Sequence, residues 1–316
     1  MSKFLDRFSS LKPEIDTGFS STASGRFLNE NGMPNVRRKG LNPFEKYSWY
    51  HVMINLNSWK FITFLILGYI FTNIIFAFIY YAIGIDHLTG IDHSVLLNEL
   101  MDVFFFSSQT FTTVGYGRIA PVGFLASLVA TFEAFLGLLF FAIATGLFYA
   151  RFSRPRAFLK FSKNALIAPY QDGSALMVRV APFKNNLLTS AEVIITVAIS
   201  NRDQSDSQTE FFILKTELPK INILVLNWTV VHKIDEDSPF YGDVNELLKT
   251  ANVEIFTQIR AFDEGFASTV IQRTSYITEE IIVGAKFLPM FEPSTDRETT
   301  ILNLDKIGDY EKVNLP

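Results

Sequence analysis

Six consecutive residues, Thr112-Thr113-Val114-Gly115-Tyr116-Gly117, hold the densest chemistry in the chain, and that chemistry is coordination by backbone oxygen. A monovalent cation leaving water must exchange its hydration shell for protein oxygens. A short extended loop can supply the carbonyls of Thr113, Val114, Gly115 and Tyr116 together with the Thr113 hydroxyl. Gly115 and Gly117 allow backbone torsions that other residues avoid, so successive carbonyls can point along one line. One loop cannot surround an ion, but four identical loops about an axis can, which makes a homotetramer part of the mechanism. Gly-Tyr-Gly alone is common in turns of soluble proteins, so the flanking elements decide.

Immediately upstream, residues 98–111 begin with a good cap residue, Asn98, and carry Glu99 and Asp102 near the first turn. The segment is too short to cross a bilayer and predicts a re-entrant helix whose negative C-terminal end favours a cation below the loop. Non-helical backbone at membrane depth is tolerated only when buried in protein or lining a water-filled path. On either side lie stretches long enough to cross a hydrocarbon core of about 30 Å: residues 61–83, without a charge, and residues 122–150, interrupted only by Glu133.

Basic residues set the orientation. Lys3, Arg7, Lys12, Arg26, Arg37, Arg38 and Lys39 precede the first span, and Arg151, Arg154, Arg156 and Lys160 follow the second. Residues 84–113 between the spans hold Asp86, Asp92, Glu99 and Asp102 but no Lys or Arg, so both termini are expected in the cytoplasm of a multi-pass inner-membrane protein.

The remainder divides by composition. Residues 1–42 read as a flexible cytoplasmic tail. In residues 43–58, Phe44, Tyr47, Tyr50 or His51, and Ile54 recur at helical spacing, predicting an interfacial helix with Trp49, Tyr50 and Trp59 suited to the headgroup zone. Residues 59–156 form the transmembrane pore domain. Residues 157–316 turn β-like: Val193, Ile195, Val197 and Ile199 alternate with the opposite face, and further strands are expected near 175–181, 208–218, 221–234, 253–262, 269–277 and 281–291, with one helix at 243–250. Seven short strands suggest a sandwich of two antiparallel sheets.

Composition narrows the function. With 48% hydrophobic residues, 32 Phe and a net charge of −4, the chain is neither disordered throughout nor a nucleic-acid binder driven by bulk charge, and no nucleic-acid partner is expected. The absence of Cys removes disulfide frameworks, thiolate metal sites and cysteine nucleophiles. His51, His87, His93 and His232 show no metal spacing, and no nucleophile elbow or phosphate loop is present, so an enzyme is not expected. A metal site at Asp235, Glu236 and Asp237 is imaginable, but a solvated turn or an inter-subunit contact is the better reading. No span carries a voltage sensor's repeating Arg series.

Three stretches resemble the inward-rectifier potassium channels, in particular their bacterial KirBac branch: the loop at 112–117; the end of the second span, Ala150-Arg151-Phe152-Ser153-Arg154-Pro155-Arg156; and Val231-His232-Lys233-Ile234-Asp235-Glu236-Asp237-Ser238-Pro239. Ala165-Leu166-Ile167-Ala168 with Asp172-Gly173, and Arg273-Thr274-Ser275-Tyr276, match more weakly. Thr-Val-Gly-Tyr-Gly is the filter motif of potassium channels, and the resemblance implies K+ as the permeant ion. The likeness covers about residues 43–292 and implies a pore of two transmembrane helices and a re-entrant helix, followed by a cytoplasmic immunoglobulin-like β-sandwich.

By position, the resemblance makes Gly137 the inner-helix hinge glycine and Tyr149 the bulky residue closing the bundle crossing, with Phe141 a second apolar constriction eight residues earlier. Gly123 and Gly146 compete with Gly137, and the aromatics could instead face lipid or other helices. Arg151, Arg154, Arg156 and Lys160 could bind anionic lipid headgroups or serve only as topology signals. Three departures stand out. Phe141, Gln208 and Arg260 lie where strong rectifiers carry acids, so polyamine or magnesium block should be weak. Gln109 replaces the acid behind the filter, which puts its ion pair with Arg118 in doubt. Glu133, inside the membrane, either hydrogen-bonds behind the filter or is simply packed as a protonated acid.

Overall fold

The computed structural model describes residues 18, 20–21, 25–40, 42, 48–202, 209–292 and 298–316, in two compact units: residues 39–154, and residues 155–316 with the N-terminal segment up to 38. The first unit is helical. Helix α1, Trp49–Asn55, ends at Leu56, so the predicted interfacial helix is a two-turn segment within the described residues; Phe44 and Tyr47 lie outside them. Trp49 and Tyr50 are exposed on it, and Trp59 is exposed just beyond. Helix α2, Ser58–Ile83, and helix α4, Phe124–Phe152, are each long and apolar enough to span a bilayer.

Between them lies helix α3, Leu96–Phe111, which starts earlier than predicted. Val95 takes the N-cap position with no side-chain cap, while Asn98 sits inside the first turn and bonds back to Asp92 and Ser94 instead. The turn at 92–95 is closed by Asp92, which accepts from the Ser94 amide at 2.9 Å. Two short strands, β1 (Leu88–Thr89) and β2 (Ala120–Pro121), pair antiparallel and join the segment after α2 to the exit of the 112–117 loop.

The second unit is a two-sheet sandwich. One sheet runs β11 (Ser268–Ile277), β10 (Ala251–Asp263), β6 (Leu188–Asn201), β7 (Glu210–Leu214), with β8 (Lys220–Leu224) also on β6. The other runs β12 (Ile281–Val283), β4 (Ala165–Tyr170), β5 (Gly173–Pro182), β3 (Leu159–Phe161), with β9 (Trp228–Ile234) on β5. Val193, Ile195, Val197 and Ile199 all face the core, as their alternation requires. The single strand expected over 221–234 is two strands broken at 225–227, and each joins a different sheet. The sheets are not wholly antiparallel, because β12 runs parallel to β4. Helix α5, Val244–Thr250, is capped by Asp243, which accepts from the Glu246 amide at 3.1 Å.

Residues 26–34 lie along the outer face of the first sheet. Both Glu254 oxygens accept from backbone, from Phe27 at 2.8 Å and Leu28 at 3.1 Å, while Arg26 pairs with Glu280 at 3.2 Å.

Candidate functional site

The 112–117 loop hangs directly from the C-terminus of α3. Thr112 is the C-cap, its hydroxyl returned to the Ser108 carbonyl at 2.8 Å, and the next turns are closed by Val114 and Gly115 amides on the Gln109 carbonyl at 2.9 and 3.3 Å. Beyond the cap, positive φ recurs at every second residue: Thr113 at 59°, Gly115 at 50° and Gly117 at 82°. In an extended strand, successive carbonyls point to opposite sides. Alternating left- and right-handed torsions cancel that alternation and turn successive carbonyls to one side, the arrangement an ion needs. Thr113 pays the cost of the left-handed region without glycine's freedom, the kind of strain that functional loops retain. Val114 and Tyr116 are exposed in the single chain.

The loop's exit is fastened by two devices. The β1–β2 ribbon holds Ala120 and Pro121, and Arg118 forms an ion pair with Asp102, on the second turn of α3. The usual partner position is Gln109, so the arginine reaches a different acid, whose second oxygen accepts from the Asp92 amide at 3.0 Å. The Asp92 carboxyl is held below the usual carboxylate range, first by the Ser94 side chain and next by the Ser94 amide.

Behind the loop, the inner helix touches α3 at two successive turns. A Cβ on Gly137 would lie 1.8 Å from the Phe111 carbonyl oxygen, so glycine is demanded by close approach. Gly123 precedes α4 as its N-cap, and nothing lies within 4 Å of a Cβ at Gly146. Glu133, one turn before Gly137, is fully buried and bonded to Tyr80 and Ser107. Phe111 is wrapped by the rings of Tyr69 and Phe140, at 5.9 and 5.6 Å between centroids. Further along α4, Phe141 and Tyr149 are exposed.

Three of the four basic residues have distinct partners. Arg151 donates to the Met53 and Ile54 carbonyls at the end of α1, at 2.8 and 3.0 Å, and lies over the Phe61 ring. Arg154 donates to Asn55 at 2.8 Å. Lys160 donates to the Leu304 carbonyl at 2.9 Å, and Arg156 is exposed. Arg260 is exposed on β10, while Gln208 lies outside the described residues. In the Asp235–Asp237 stretch, Asp235 accepts from the Asp237 amide at 3.2 Å, and among the described residues no acidic or histidine cluster could hold a metal. Sequence reasoning missed Tyr80, Ser107, Asn73 and the Asp102 partner of Arg118, because single hydroxyl, amide or acid side chains on separate elements leave no spacing signal.

The model of the inward rectifier potassium channel C-terminal domain matches residues 159–316, and an ion channel model matches residues 59–154. The inward rectifier potassium channel Kirbac3.1 of Paramagnetospirillum magnetotacticum is 34% identical over 276 residues, covering 86% of this chain and 91% of that protein. The ATP-sensitive inward rectifier potassium channel 12 of Gallus gallus is 27% identical, covering 92% and 73%. The G protein-activated inward rectifier potassium channel 2 of Pongo abelii is 25% identical, covering 84% and 67%. Two membrane-length helices, a helix-borne Thr-Val-Gly-Tyr-Gly loop and a β-sandwich thus fall within these matches, and the chain belongs to the inward rectifier potassium channel family.

Proposed function

We propose that four copies of this chain assemble about one axis and conduct K+ passively through the ring of carbonyls contributed by Thr113, Val114, Gly115 and Tyr116. The observation that carries this is the alternating φ of the loop, 59° at Thr113, 50° at Gly115 and 82° at Gly117, at the end of a helix too short to span. K+ is the cargo, and the protein contributes oxygens at fixed positions and a helix terminus of negative polarity beneath them. The gate is the narrowing of α4 at Tyr149, with Phe141 a second apolar ring, closing by dewetting. Both termini lie in the cytoplasm. Anionic lipid headgroups engage the basic stretch of Arg151, Arg154, Arg156 and Lys160, at about 1 kcal/mol per basic residue near the surface.

Flux into liposomes containing the purified chain tests the conduction. K+ uptake should exceed Na+ uptake and vanish with Gly115→Asp, whose side chain enters the ion path; equal Na+ uptake removes the filter assignment. Tyr149→Ala should raise K+ flux several-fold if the gate is there, and unchanged flux removes the gate.

A further inference from the structure

The interior of the pore unit holds one polar network with an unequal count of protons. Four fully or almost fully buried side chains meet there: Asn73 and Tyr80 of α2, Ser107 of α3 and Glu133 of α4. The Tyr80 hydroxyl donates to Glu133 Oε2 at 2.6 Å. Ser107 Oγ lies 2.5 Å from Glu133 Oε1, 3.1 Å from Asn73 Oδ1 and 3.2 Å from the Asn73 carbonyl oxygen. The Asn73 amide nitrogen donates to the Tyr69 carbonyl at 2.7 Å, which fixes its orientation: reversed, it would set two acceptors against each other.

Ser107 owns one hydroxyl proton. Were Glu133 a carboxylate, giving that proton to Glu133 would leave Asn73 Oδ1 facing a bare hydroxyl oxygen. Giving it to Asn73 would leave Glu133 Oε1 and Ser107 Oγ at 2.5 Å with no hydrogen between them. With the acid protonated, each side-chain pair has its hydrogen, and the Asn73 carbonyl at 3.2 Å shares the Ser107 proton with Oδ1. Tyr80 donates to Glu133, Glu133 donates to Ser107, Ser107 donates to Asn73, and Asn73 donates to Tyr69. Among the described residues no Lys, Arg or His pairs with Glu133, and a neutral acid carries no ion into hydrocarbon.

The network's place gives it a task. Ser107 is one turn before Phe111, the last residue of α3, and Glu133 is one turn before Gly137, which abuts the Phe111 carbonyl. The inner helix therefore grips α3 at the two turns that deliver the chain into Thr113. We propose that Glu133, as a neutral carboxylic acid donating to Ser107, is a positioning residue that fixes the pore helix against both spanning helices and thereby sets the preference of the loop for K+ over Na+. This rests on the filter assignment above.

The test uses the full-length chain in liposomes and compares K+ with Na+ uptake for Glu133→Gln, Glu133→Leu and Ser107→Ala. The amide of Gln can donate to Ser107 while its oxygen accepts from Tyr80, so E133Q should keep the parent ratio within about twofold, whereas E133L should lower it about tenfold, equivalent to about 1.4 kcal/mol. The infrared difference between parent and E133Q should contain the C=O stretch of a protonated carboxylic acid. A carboxylate band in its place overturns the proton assignment, and a folded E133L with the parent ratio overturns the positioning role. Should E133L not assemble, S107A, which deletes one hydroxyl, is read against the same two ratios. A parent without K+ preference strikes the filter assignment instead, and the infrared band still decides the proton.

Discussion

The two units bury acidic side chains for opposite ends. In the pore unit, Glu133 is enclosed by the side chains of three helices, and its bonds to Tyr80 and Ser107 set one helix against another. In the sandwich, Glu254 lies at the outer face of a sheet whose core is apolar, and its two bonds go to backbone amides of a segment laid over that face. Burial pushes the Glu254 carboxyl up, while the Phe27 and Leu28 amides pull it back down. The sandwich core is redundant: Val178, Ile195, Ile255 and Ile259 belong to one large apolar cluster. In the pore unit, Glu133 and Gly137 touch α3 just before the 112–117 loop, so a change there should alter the loop's geometry before it alters stability.

The largest effects come from one substitution in each unit. Ile195→Ala removes a fully buried side chain from the sandwich and should cost about 2–5 kcal/mol of stability, read by chemical denaturation, while the molecules that remain folded keep their K+ preference. Gly137→Ala places a methyl on the Phe111 carbonyl, an overpacking that typically costs about 1–3 kcal/mol, and should abolish selective flux even where the tetramer assembles. If both variants lost selectivity in proportion to stability, the distinction between the units would fail.

The sequence showed the sandwich wherever one strand face was buried and the other was not. Val193, Ile195, Val197 and Ile199 share the core face, and β6 runs through them. Residues 165–168 are buried at every position, so β4 carries no period of two and went unseen. Residues 221–234 are apolar on both sides of the break at Val225, which hid a change of sheet. The 112–117 loop was legible only together with its flanks, since Gly-Tyr-Gly alone is common in turns: a helix too short to span before it and a membrane-length apolar stretch on either side set it apart. Its supports were not. Glu133 drew notice as an acid inside a span, but Tyr80 and Ser107 find it only through the packing of α2, α3 and α4. Residues 26–34, read as part of a flexible tail, are ordered by a glutamate more than two hundred residues away, a contact without local pattern.

A middle-sized effect tests that segment. Glu254→Ala leaves two amide donors at 27 and 28 without their acceptor, at about 1–3 kcal/mol for buried groups. Because Phe27 also packs edge-on against Phe211 and Phe256, at 5.9 and 6.1 Å, the sandwich should remain folded while its cover loosens. Hydrogen exchange at Phe27 and Leu28 should accelerate, with cleavage at Arg26 by trypsin, and the exchange of β5 amides should not change. Unaltered protection at residues 27 and 28 would mean that the aromatic contacts, the Arg26–Glu280 pair and the Ser275 and Thr274 hydroxyls on the Leu28 and Glu30 carbonyls hold the segment without Glu254.

The smallest effect is a slope with pH. His232 is buried on β9, where Nδ1 donates to the Lys215 carbonyl at 2.7 Å and Nε2 accepts from the Ser238 hydroxyl at 2.8 Å, the pattern of a neutral ring. Burial lowers its pKa below the ordinary value, against smaller opposing effects of the Lys215 carbonyl and Asp235. A depressed folded-state pKa contributes stability that is complete above the unfolded value of about 6.5 and is lost as pH falls below it, because the unfolded chain takes up the proton first. The raised carboxyl of Glu254 has the opposite sign, since its folded form holds the proton longer as pH rises from the carboxylate range. Unfolding followed by Trp228 fluorescence, with Trp49 and Trp59 replaced by Phe, should show stability falling toward acid pH by at most about 1.4 kcal/mol per pH unit. His232→Gln keeps both hydrogen bonds without a titrating ring and should flatten that slope; an equally steep curve for the variant would place the proton uptake elsewhere in the sandwich.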